Sequence, residues 1–365
     1  MYAPTLRPVA HPTRVAVLGC GYWGMNYVRV LNELPDAVIA GVCDQRTSRL
    51  DEVARRFPGV PLTTDVDEAL EDEQTDAAVI CTQAATHREI AGRALEAGKH
   101  LLVEKPLTVN VADADELIEL AERGDRVLLT GHTFLYNEGV KHVKSLIAKG
   151  ALGRTYYLYA TRTNLGPFRS DVNALWDLAP HDIAIFNHLV DAVPRWVSAV
   201  GARVLANGRE DVGFITLHYG GNVLGHIHVS WADPQKVRQC VVVGSDRRIA
   251  FNDLEPVERV RVFDRGVKPD LAEGATTFGE QLQVREGDIT SPALAATEPL
   301  KHLCGHFLHC VRRGERPVTP GIKGREVVAV MQAVQDSVAR HGAPVRVDAA
   351  PREREAASRF ARALR

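Results

Sequence analysis

The first 130 residues alternate between short apolar runs and amphipathic segments. Residues 15–18 form a continuous apolar run, which is typical of a strand buried on both faces of a parallel sheet. In residues 22–34 the apolar positions recur at the spacing of a helix, and residues 38–43 form a second apolar run. Alternation of strands and helices at this pitch predicts a doubly wound parallel sheet.

The same alternation continues to residue 130. Further strands are predicted over residues 75–80, 100–103 and 126–130, and further helices over residues 46–57, 86–97 and 111–123. In such sheets ligands bind beyond the carboxyl ends of the strands. Asp44, Thr82 and Lys105 each follow a predicted strand, so we expect these three segments to converge on one crevice.

Three glycines connect the first strand to the first helix. Gly19, Gly21 and Gly24 have the G-x-G-x-x-G spacing, which permits a tight turn, a close approach of the backbone to a pyrophosphate and close packing of helix on strand. Asp44 lies about 20 residues past the last glycine, where a carboxylate accepts hydrogen bonds from an adenosine ribose. These features predict a dinucleotide site in which Asp44 favours NAD, whereas Arg46 leaves NADP open as the alternative.

The pattern becomes rich in strands after a predicted helix over residues 137–149. Strands are predicted over residues 156–164, 195–204, 213–219, 223–231, 237–243 and 248–251, with a helix over residues 176–189 among them. A long surface loop is predicted over residues 264–292, followed by helices over residues 300–312 and 323–341. This spacing indicates a large, mostly antiparallel, open-faced sheet. Because the open face needs a partner, we expect a homo-oligomer, a dimer or a tetramer, formed through this sheet.

The chain is therefore predicted to be an α/β protein of two domains. A Rossmann domain that binds NAD(P) is expected over residues 13–133, and a substrate-binding and oligomerisation domain over residues 134–347. Residues 1–12 are expected to form a disordered leader and residues 348–365 a C-terminal tail.

Composition limits the classes of partner. The net charge of −2 and the pI near 6.7 give no electrostatic case for nucleic acid or an anionic membrane. No apolar run approaches the roughly 20 residues that cross a bilayer. The six cysteines form no C-x-x-C pair, which predicts reduced thiols and a cytoplasmic protein. His302, His306, His309 and Cys310 share a predicted helix but lack the H-E-x-x-H signature, so no metal site is predicted.

Two further motifs resemble those of a known family. Glu104-Lys105-Pro106 follows a strand of the first domain, and Trp-Asp-Leu-Ala-Pro-His-Asp occupies residues 176–182. The combination is similar to the Gfo/Idh/MocA family, the glucose–fructose oxidoreductase and inositol dehydrogenase group, from about residue 14 to residue 347. In that family the lysine of E-K-P and the D-x-x-x-H pair form the catalytic site. The resemblance therefore implies Lys105, Asp177 and His181 as catalytic residues.

The resemblance and the glycine motif together imply a set of ligand contacts. The expected cofactor-binding residues are Gly19, Gly21, Tyr22, Trp23, Gly24, Asp44, Gln45, Arg46, Thr82, Gln83, His87, Glu104 and Lys105. The expected substrate-binding residues are Lys105, Arg162, Asn164, Arg169, Trp176 and His181. Taken alone, Arg162 and Arg169 are equally well interpreted as surface charges, and Trp176 as a core residue.

The chemistry suits these residue types. Oxidation of a secondary alcohol removes a hydride from carbon and a proton from oxygen, and histidine, with an ordinary pKa of about 6.5, is suited to accept that proton. Asp177 and His181 are four residues apart on a predicted helix and share a face, so the carboxylate orients the imidazole. Lys105, as a cation, stabilises the developing alkoxide.

The sequence predicts an NAD(P)-dependent oxidoreductase that acts on a secondary hydroxyl, or the matching ketone, of a sugar, cyclitol or nucleotide sugar. One alternative is a lyase or glycosidase that reduces its bound NAD only transiently and releases no net NADH. A second alternative is a non-catalytic regulator that senses NAD or a sugar. The joint presence of the three catalytic residue types and the lack of a basic segment argue against the second alternative.

Overall fold

The computed structural model describes residues 11–166, 168–169, 171–205, 208–269 and 282–348. These residues form two compact units, of which the first contains residues up to 136 and residues 298–328. The second contains residues 137–297 and those from 329 onward. The sequence assigns residues 298–328 to the second domain, but in the structure a helix in this segment packs against the first helix of the chain. Most of the predicted leader and tail lies outside the described residues.

The first unit is built on a six-stranded sheet whose strands are all parallel. Its strands are β1 (Thr13–Leu18), β2 (Ala37–Cys43), β3 (Leu62–Thr63), β4 (Ala77–Ile80), β5 (His100–Glu104) and β6 (Leu128–Gly131). Its helices between these strands are α1 (Tyr22–Glu33), α2 (Thr47–Arg56), α3 (Val66–Glu71), α4 (His87–Glu96) and α5 (Val111–Gly124). The spatial order β3-β2-β1-β4-β5-β6 confirms the predicted doubly wound sheet.

The core of this unit explains why its strands could be predicted. All four residues of the apolar run 15–18 and all four residues of β4 are fully buried, as the central strands of a sheet covered on both faces must be. The sequence missed β3 and α3. A strand of two residues and a helix of six are too short to produce a periodic apolar pattern.

The glycine turn allows α1 to pack directly against the end of β1. A Cβ atom on Gly24, inside α1, would lie 1.9 Å from the carbonyl oxygen of Gly19. Gly19 itself has a φ of +87°, and a Cβ atom there would lie 2.9 Å from the backbone of Cys81. Both positions therefore require glycine, one for close packing and the other for its backbone conformation.

The second unit is built on a nine-stranded sheet. Its strands are β7 (Thr155–Leu165), β8 (Trp196–Ala202), β9 (Val212–His218), β10 (Leu224–Ser230), β11 (Ala232–Gly244), β12 (Arg248–Asn252), β13 (Val260–Phe263), β16 (Ile289–Thr290) and β17 (Val345–Arg346). A separate hairpin contains β14 (Gly266–Pro269) and β15 (Leu282–Arg285). β7 and β10 are parallel and the other described pairs of the large sheet are antiparallel, which confirms the predicted, mostly antiparallel sheet.

Helices of the second unit cover one face of this sheet. α6 (Glu138–Ala148) precedes the sheet, and α7 (Ala174–Val190) packs on β10, β7 and β9. α8 (Pro299–Arg313) belongs to the first unit, and α9 (Gly321–Ala339) begins in the first unit and ends in the second. The prediction of a loop over residues 264–292 is wrong at β14, β15 and β16, because strands of two to four residues are too short to produce a recognisable periodic pattern.

The opposite face of the large sheet carries exposed aromatic and apolar side chains. Tyr157, Trp196 and Phe214 are each 44–45% exposed. The Phe214 ring stacks on His228 with the ring centroids 4.5 Å apart, and His226 lies on the same face. The sequence predicts an open-faced sheet but does not indicate which residues lie on the open face.

Within the described ranges, no helix combines the length and the apolar character needed to cross a membrane. All six cysteines are free thiols, and five of them are buried.

Two alanine substitutions in helices of the first unit should have opposite effects on stability. Gly24→Ala should lower the free energy of unfolding by about 1–3 kcal/mol or more, because the backbone of the glycine turn must move. Gly305→Ala, in α8, is the matched control. A Cβ atom at Gly305 meets nothing within 4 Å, so this change should raise the free energy by about 0.5–1 kcal/mol. Denaturant unfolding measures both effects, and a Gly24→Ala protein as stable as the wild type would contradict the packing described here.

Candidate active site

The glycine turn leaves the N-terminus of α1 open to a ligand. Gly21 caps the helix without a side-chain hydrogen bond, and the first turn contains no acidic residue. Backbone N–H groups and the helix dipole at such an end attract an anion. The rings of Tyr22 and Trp23 are 79% and 38% exposed and pack edge to face at this end. The arrangement fits the pyrophosphate of a dinucleotide.

Asp44 lies beside this turn, directly after β2. Its Oδ2 accepts a hydrogen bond of 2.9 Å from the N–H of Cys20, and its Oδ1 accepts bonds of 2.9 and 3.0 Å from the N–H and Nε of Arg46. Burial alone would raise the pKa of Asp44, but the hydrogen bonds from Arg46 and Cys20 lower it overall. The carboxylate is therefore ionised next to an exposed arginine. Gln45, between them, is exposed.

The carboxylate of Glu104 organises the end of β5. Its Oε1 accepts a hydrogen bond of 2.8 Å from the hydroxyl of Tyr27, and its Oε2 accepts one of 2.9 Å from the N–H of Lys105. Glu104 and Lys105 are 7% and 9% exposed, and the peptide bond between Lys105 and Pro106 is cis. The predicted cofactor residue Glu104 thus lies in the interior, where it holds α1 and the Lys105 backbone together.

His87 joins the ends of two strands. Its Nδ1 lies 2.8 Å from the carbonyl oxygen of Pro106, and its Nε2 lies 3.2 Å from the carbonyl oxygen of Thr82. The ring is 1% exposed, so this histidine anchors the Lys105 segment to the segment after β4. Thr82 and the exposed Gln83 lie at the same edge of the sheet. Their predicted contact with nicotinamide stays a prediction.

His132 was not identified from the sequence. It follows β6, and the pairing of Glu104 with Gly131 places it beside Lys105 as the two chains leave the sheet. His132 is 2% exposed, and neither ring nitrogen has a hydrogen-bond partner among the described residues. Burial and the charge of Lys105 lower the pKa of His132 to about 4. The signal for His132 in the sequence was its position as a polar residue shortly after a predicted strand, at the carboxyl edge of the first sheet.

In the second unit, α7 carries Asp177 and His181 one turn apart, as predicted. The Asn173 side chain caps this helix by accepting a hydrogen bond of 2.9 Å from the N–H of Trp176. The Asp177 carboxylate accepts hydrogen bonds of 3.3 Å from Nε1 of Trp231 and from Nη1 of Arg169. Two donors from outside the helix therefore hold this carboxylate.

The predicted substrate residues have different surroundings in this unit. Arg169 also donates to both carboxylate oxygens of Asp171, at 2.9 and 2.6 Å. These ion pairs raise the pKa of Arg169. The Asn164 amide donates to the carbonyl oxygen of Gly166, and Trp176 is half-buried. Arg169 is thus the predicted substrate residue whose guanidinium lies next to Asp177.

Arg162 lies beneath α7 in a buried ion pair. Its Nε and Nη2 donate to the two oxygens of Asp182 at 2.8 and 2.9 Å, and the two residues are 4% and 1% exposed. Burial would lower the pKa of Arg162, but Asp182 raises it overall. This placement favours a structural role for Arg162 over the predicted contact with substrate, since breaking such a pair leaves a buried charge alone.

The histidines of α8 have structural partners. His306 Nε2 accepts a hydrogen bond of 3.0 Å from the N–H of Val318, and His309 pairs with Glu315. In the part of the chain that the structure describes, no group of His, Cys, Asp or Glu side chains could hold a metal ion.

The structure brings the predicted residues together within each unit. Gly19, Asp44 and Lys105 lie at the carboxyl edge of the first sheet, and Asp177 and His181 lie on one helix of the second unit. The first unit has the fold and the anion-binding turn of an NAD-binding oxidoreductase domain.

Comparison with known proteins agrees with this class. Residues 13–132 match the model of an oxidoreductase family with an NAD-binding Rossmann fold, and residues 140–250 match the model of the GFO/IDH/MocA C-terminal domain. The two matches cover more than half of the chain. The chain belongs to the Gfo/Idh/MocA family, as its motifs indicated.

Several relatives are enzymes that act on cyclitols or nucleotide sugars. The chain is 27% identical to myo-inositol 2-dehydrogenase of Thermotoga maritima over 267 residues, which cover 69% of this chain and 79% of that enzyme. It is 28% identical to UDP-N-acetylglucosamine 3-dehydrogenase of Acidithiobacillus ferrooxidans over 334 residues, which cover 89% of this chain and 97% of the enzyme. The crystal structure of GenD2 from gentamicin A biosynthesis in complex with NAD matches with a TM-score of 0.80 and 25% identity, covering 96% of this chain and all of that one.

Asp44 and Arg46 should set the preference between NAD and NADP. Asp44→Ala should weaken NADH binding at least about tenfold, because charge-assisted hydrogen bonds to the ribose are lost, and should relax the preference for NADH over NADPH. Arg46→Ala should instead weaken NADPH and leave NADH nearly unchanged. Fluorescence titration with each nucleotide measures these effects.

Asp51→Ala, which removes an exposed acid from α2, is the matched control and should change neither affinity. If the ratio of NADH to NADPH affinity in Asp44→Ala equals that of the wild type, Asp44 does not contact the ribose.

Proposed function

We propose that this enzyme transfers a hydride between NAD and a secondary hydroxyl, or the matching ketone, of a sugar, cyclitol or nucleotide sugar. The relatives named for inositol and for UDP-N-acetylglucosamine support this class of substrate. The observation that carries the proposal is the placement of Lys105 at the same edge of the first sheet as the glycine turn and Asp44. A cation at this edge suits an alkoxide that forms beside a bound dinucleotide.

The residues of the first unit would hold the cofactor. The free N–H groups of α1 would bind the pyrophosphate, and Asp44 would accept hydrogen bonds from the adenosine ribose. The nicotinamide of a bound NAD would supply the hydride acceptor for this oxidation. NADP remains the alternative if Arg46 turns from Asp44 towards a 2′-phosphate.

His181 accepts the hydroxyl proton of the substrate. Asp177 fixes the orientation of the imidazole and stabilises the imidazolium, and Trp231 and Arg169 hold the Asp177 carboxylate for this task. The Lys105 ammonium donates a hydrogen bond to the same substrate oxygen and stabilises its negative charge. In the direction of reduction, His181 returns the proton.

Arg169 gives this site a preference among substrates. Its guanidinium forms a fork with Asp171 and also reaches Asp177. A phosphate or carboxylate on the substrate would compete with Asp171 for the same fork. We therefore favour an anionic sugar derivative over a neutral cyclitol.

The catalytic assignment is tested with Lys105→Ala and His181→Ala. Each variant should lose roughly a hundredfold or more in kcat while it retains NADH binding, because both side chains act on the substrate oxygen. The wild type is first screened with inositols, free sugars and nucleotide sugars, each with NAD and NADP, and NADH absorbance measures turnover.

The controls are Lys149→Ala and His309→Ala, which remove an exposed lysine and an exposed histidine and should leave kcat unchanged. Full turnover in both the Lys105 and the His181 variants would overturn the assignment. Product that forms without accumulation of NADH would overturn net oxidation.

We further propose that two copies of the chain associate through the open face of the large sheet. Tyr157, Trp196 and Phe214 expose aromatic area there, and the Tyr157 and Tyr159 rings stack with their centroids 6.3 Å apart. A stack of aromatic rings on an uncovered sheet is typical of a surface buried between subunits. The buried and free thiols are those of a protein in a reducing compartment, which supports a cytoplasmic location.

Phe214→Glu should convert the dimer to a monomer in light scattering after size exclusion. The glutamate would place a charge at the centre of the buried surface, whereas in the monomer Phe214 is already 44% exposed, so the fold is retained. Val257→Glu changes a valine that is 79% exposed and lies outside the strands, and should leave the mass unchanged. An unchanged mass of the Phe214→Glu protein would exclude this face as the interface.

A further inference from the structure

His132 is a buried polar residue without a described partner at the carboxyl edge of the first sheet. The parallel pairing of β5 and β6 aligns Glu104 with Gly131, so Lys105 and His132 are the next residues on neighbouring strands. A Cβ atom on Gly131 would lie 3.2 Å from the Cα atom of Glu104. The two chains are therefore close at the point where Lys105 and His132 leave the sheet.

An imidazole in this position is costly unless it forms hydrogen bonds. A neutral imidazole has one donor and one acceptor nitrogen, and neither has a partner among the described residues around His132. A buried polar group left unpaired destabilises the folded state. A phenylalanine of similar size would avoid this cost, so a histidine at this position calls for a functional explanation.

Lys105 is the charged side chain that acts on the ring of His132. Apart from burial, the charge of Lys105 is the influence that lowers the pKa of His132, and the ring is therefore neutral at pH 7. A neutral ring offers an acceptor nitrogen without adding positive charge beside the ammonium. Glu104 is a buried carboxylate on the neighbouring strand, but its two oxygens already accept from Tyr27 and from the Lys105 N–H.

We propose that His132 is a positioning residue for Lys105, whose ammonium donates a hydrogen bond to the imidazole, directly or through one water molecule. The flexible stem of lysine allows the ammonium to reach this partner by a change of side-chain torsions. The imidazole thereby favours the charged form of Lys105 and holds it at the edge where the substrate oxygen is expected. The catalytic consequence rests on the proposed role of Lys105, but the contact itself does not.

Titration of Lys105 in the full-length protein without substrate tests the contact. The protein is labelled with lysine carrying ¹³C at Cε, the Lys105 signal is assigned from its loss in Lys105→Arg, and its chemical shift is followed with pH. In His132→Phe the midpoint of the Lys105 titration should move to lower pH by roughly one unit, because the ammonium loses an acceptor. His132→Asn, which retains an acceptor, should restore at least half of the shift.

His309→Phe, at an exposed position on α8, is the matched control and should leave the Lys105 midpoint unchanged. A midpoint in His132→Phe that equals the wild-type value, or that moves to higher pH, would overturn the proposal. Equal midpoints in His132→Phe and His132→Asn would overturn it too, because the shift would then not depend on whether position 132 offers an acceptor. Denaturant unfolding and NADH binding show that each variant is folded.

The pH profile of kcat separates this inference from the proposed function. If both hold, the alkaline limb of the profile moves to lower pH in His132→Phe, since Lys105 then loses its proton at lower pH. If Lys105→Ala retains full activity, the proposed catalytic role fails while the titration result still stands. If Lys105→Ala is inactive and His132→Phe has the wild-type titration midpoint and profile, only the role of His132 fails.

Discussion

The geometry of the first unit depends on the buried carboxylate of Glu104. It accepts one hydrogen bond from Tyr27 on α1 and another from the backbone of Lys105, so a single side chain connects the helix of the glycine turn to the strand end that carries the lysine. Gly131 leaves room for this arrangement, because a Cβ atom there would lie 3.3 Å from the Glu104 carboxylate and 3.3 Å from the Tyr27 hydroxyl. A buried carboxylate with two donors is stable, whereas the same group without them would destabilise the core. The requirement for a paired Glu104 therefore constrains α1, β5 and β6 together.

Local sequence predicted those parts of the fold whose stability comes from a regular pattern of burial. The apolar runs of β1 and β4, the glycine turn and the amphipathic face of α5 all follow from interactions that repeat along the chain. β3, β14 and β15 contain two to four residues each and are stabilised by pairing with another strand, so they are too short to show a periodic pattern of their own.

The candidate site could be predicted from the sequence where its residues stand in local motifs, but not where they depend on partners from other elements. Lys105, Asp177 and His181 stand in short motifs, but their supporting partners come from other elements. Trp231 is 54 positions from Asp177, and Asp182 is 20 positions from the Arg162 that it neutralises. Such pairs form only after the chain has folded, which is why the sequence did not predict the buried ion pair of Arg162 with Asp182. His132 could not be identified from the sequence for the same reason, since its position beside Lys105 depends on the pairing of β6 with β5.

In the second unit, side chains from two strands fix the orientation of α7. β7 and β10 are parallel, and Ser230 pairs with Thr163, so both strands end at the same edge of the sheet. Trp231, the next residue after β10, donates to Asp177, and Arg162 near the end of β7 binds Asp182. Asp177 and Asp182 flank His181 along α7, and therefore two neighbouring strands hold the helix on both sides of the histidine. A rotation of α7 would break a buried ion pair and a hydrogen bond together, so the orientation of His181 is built into the free energy of folding rather than acquired when substrate binds.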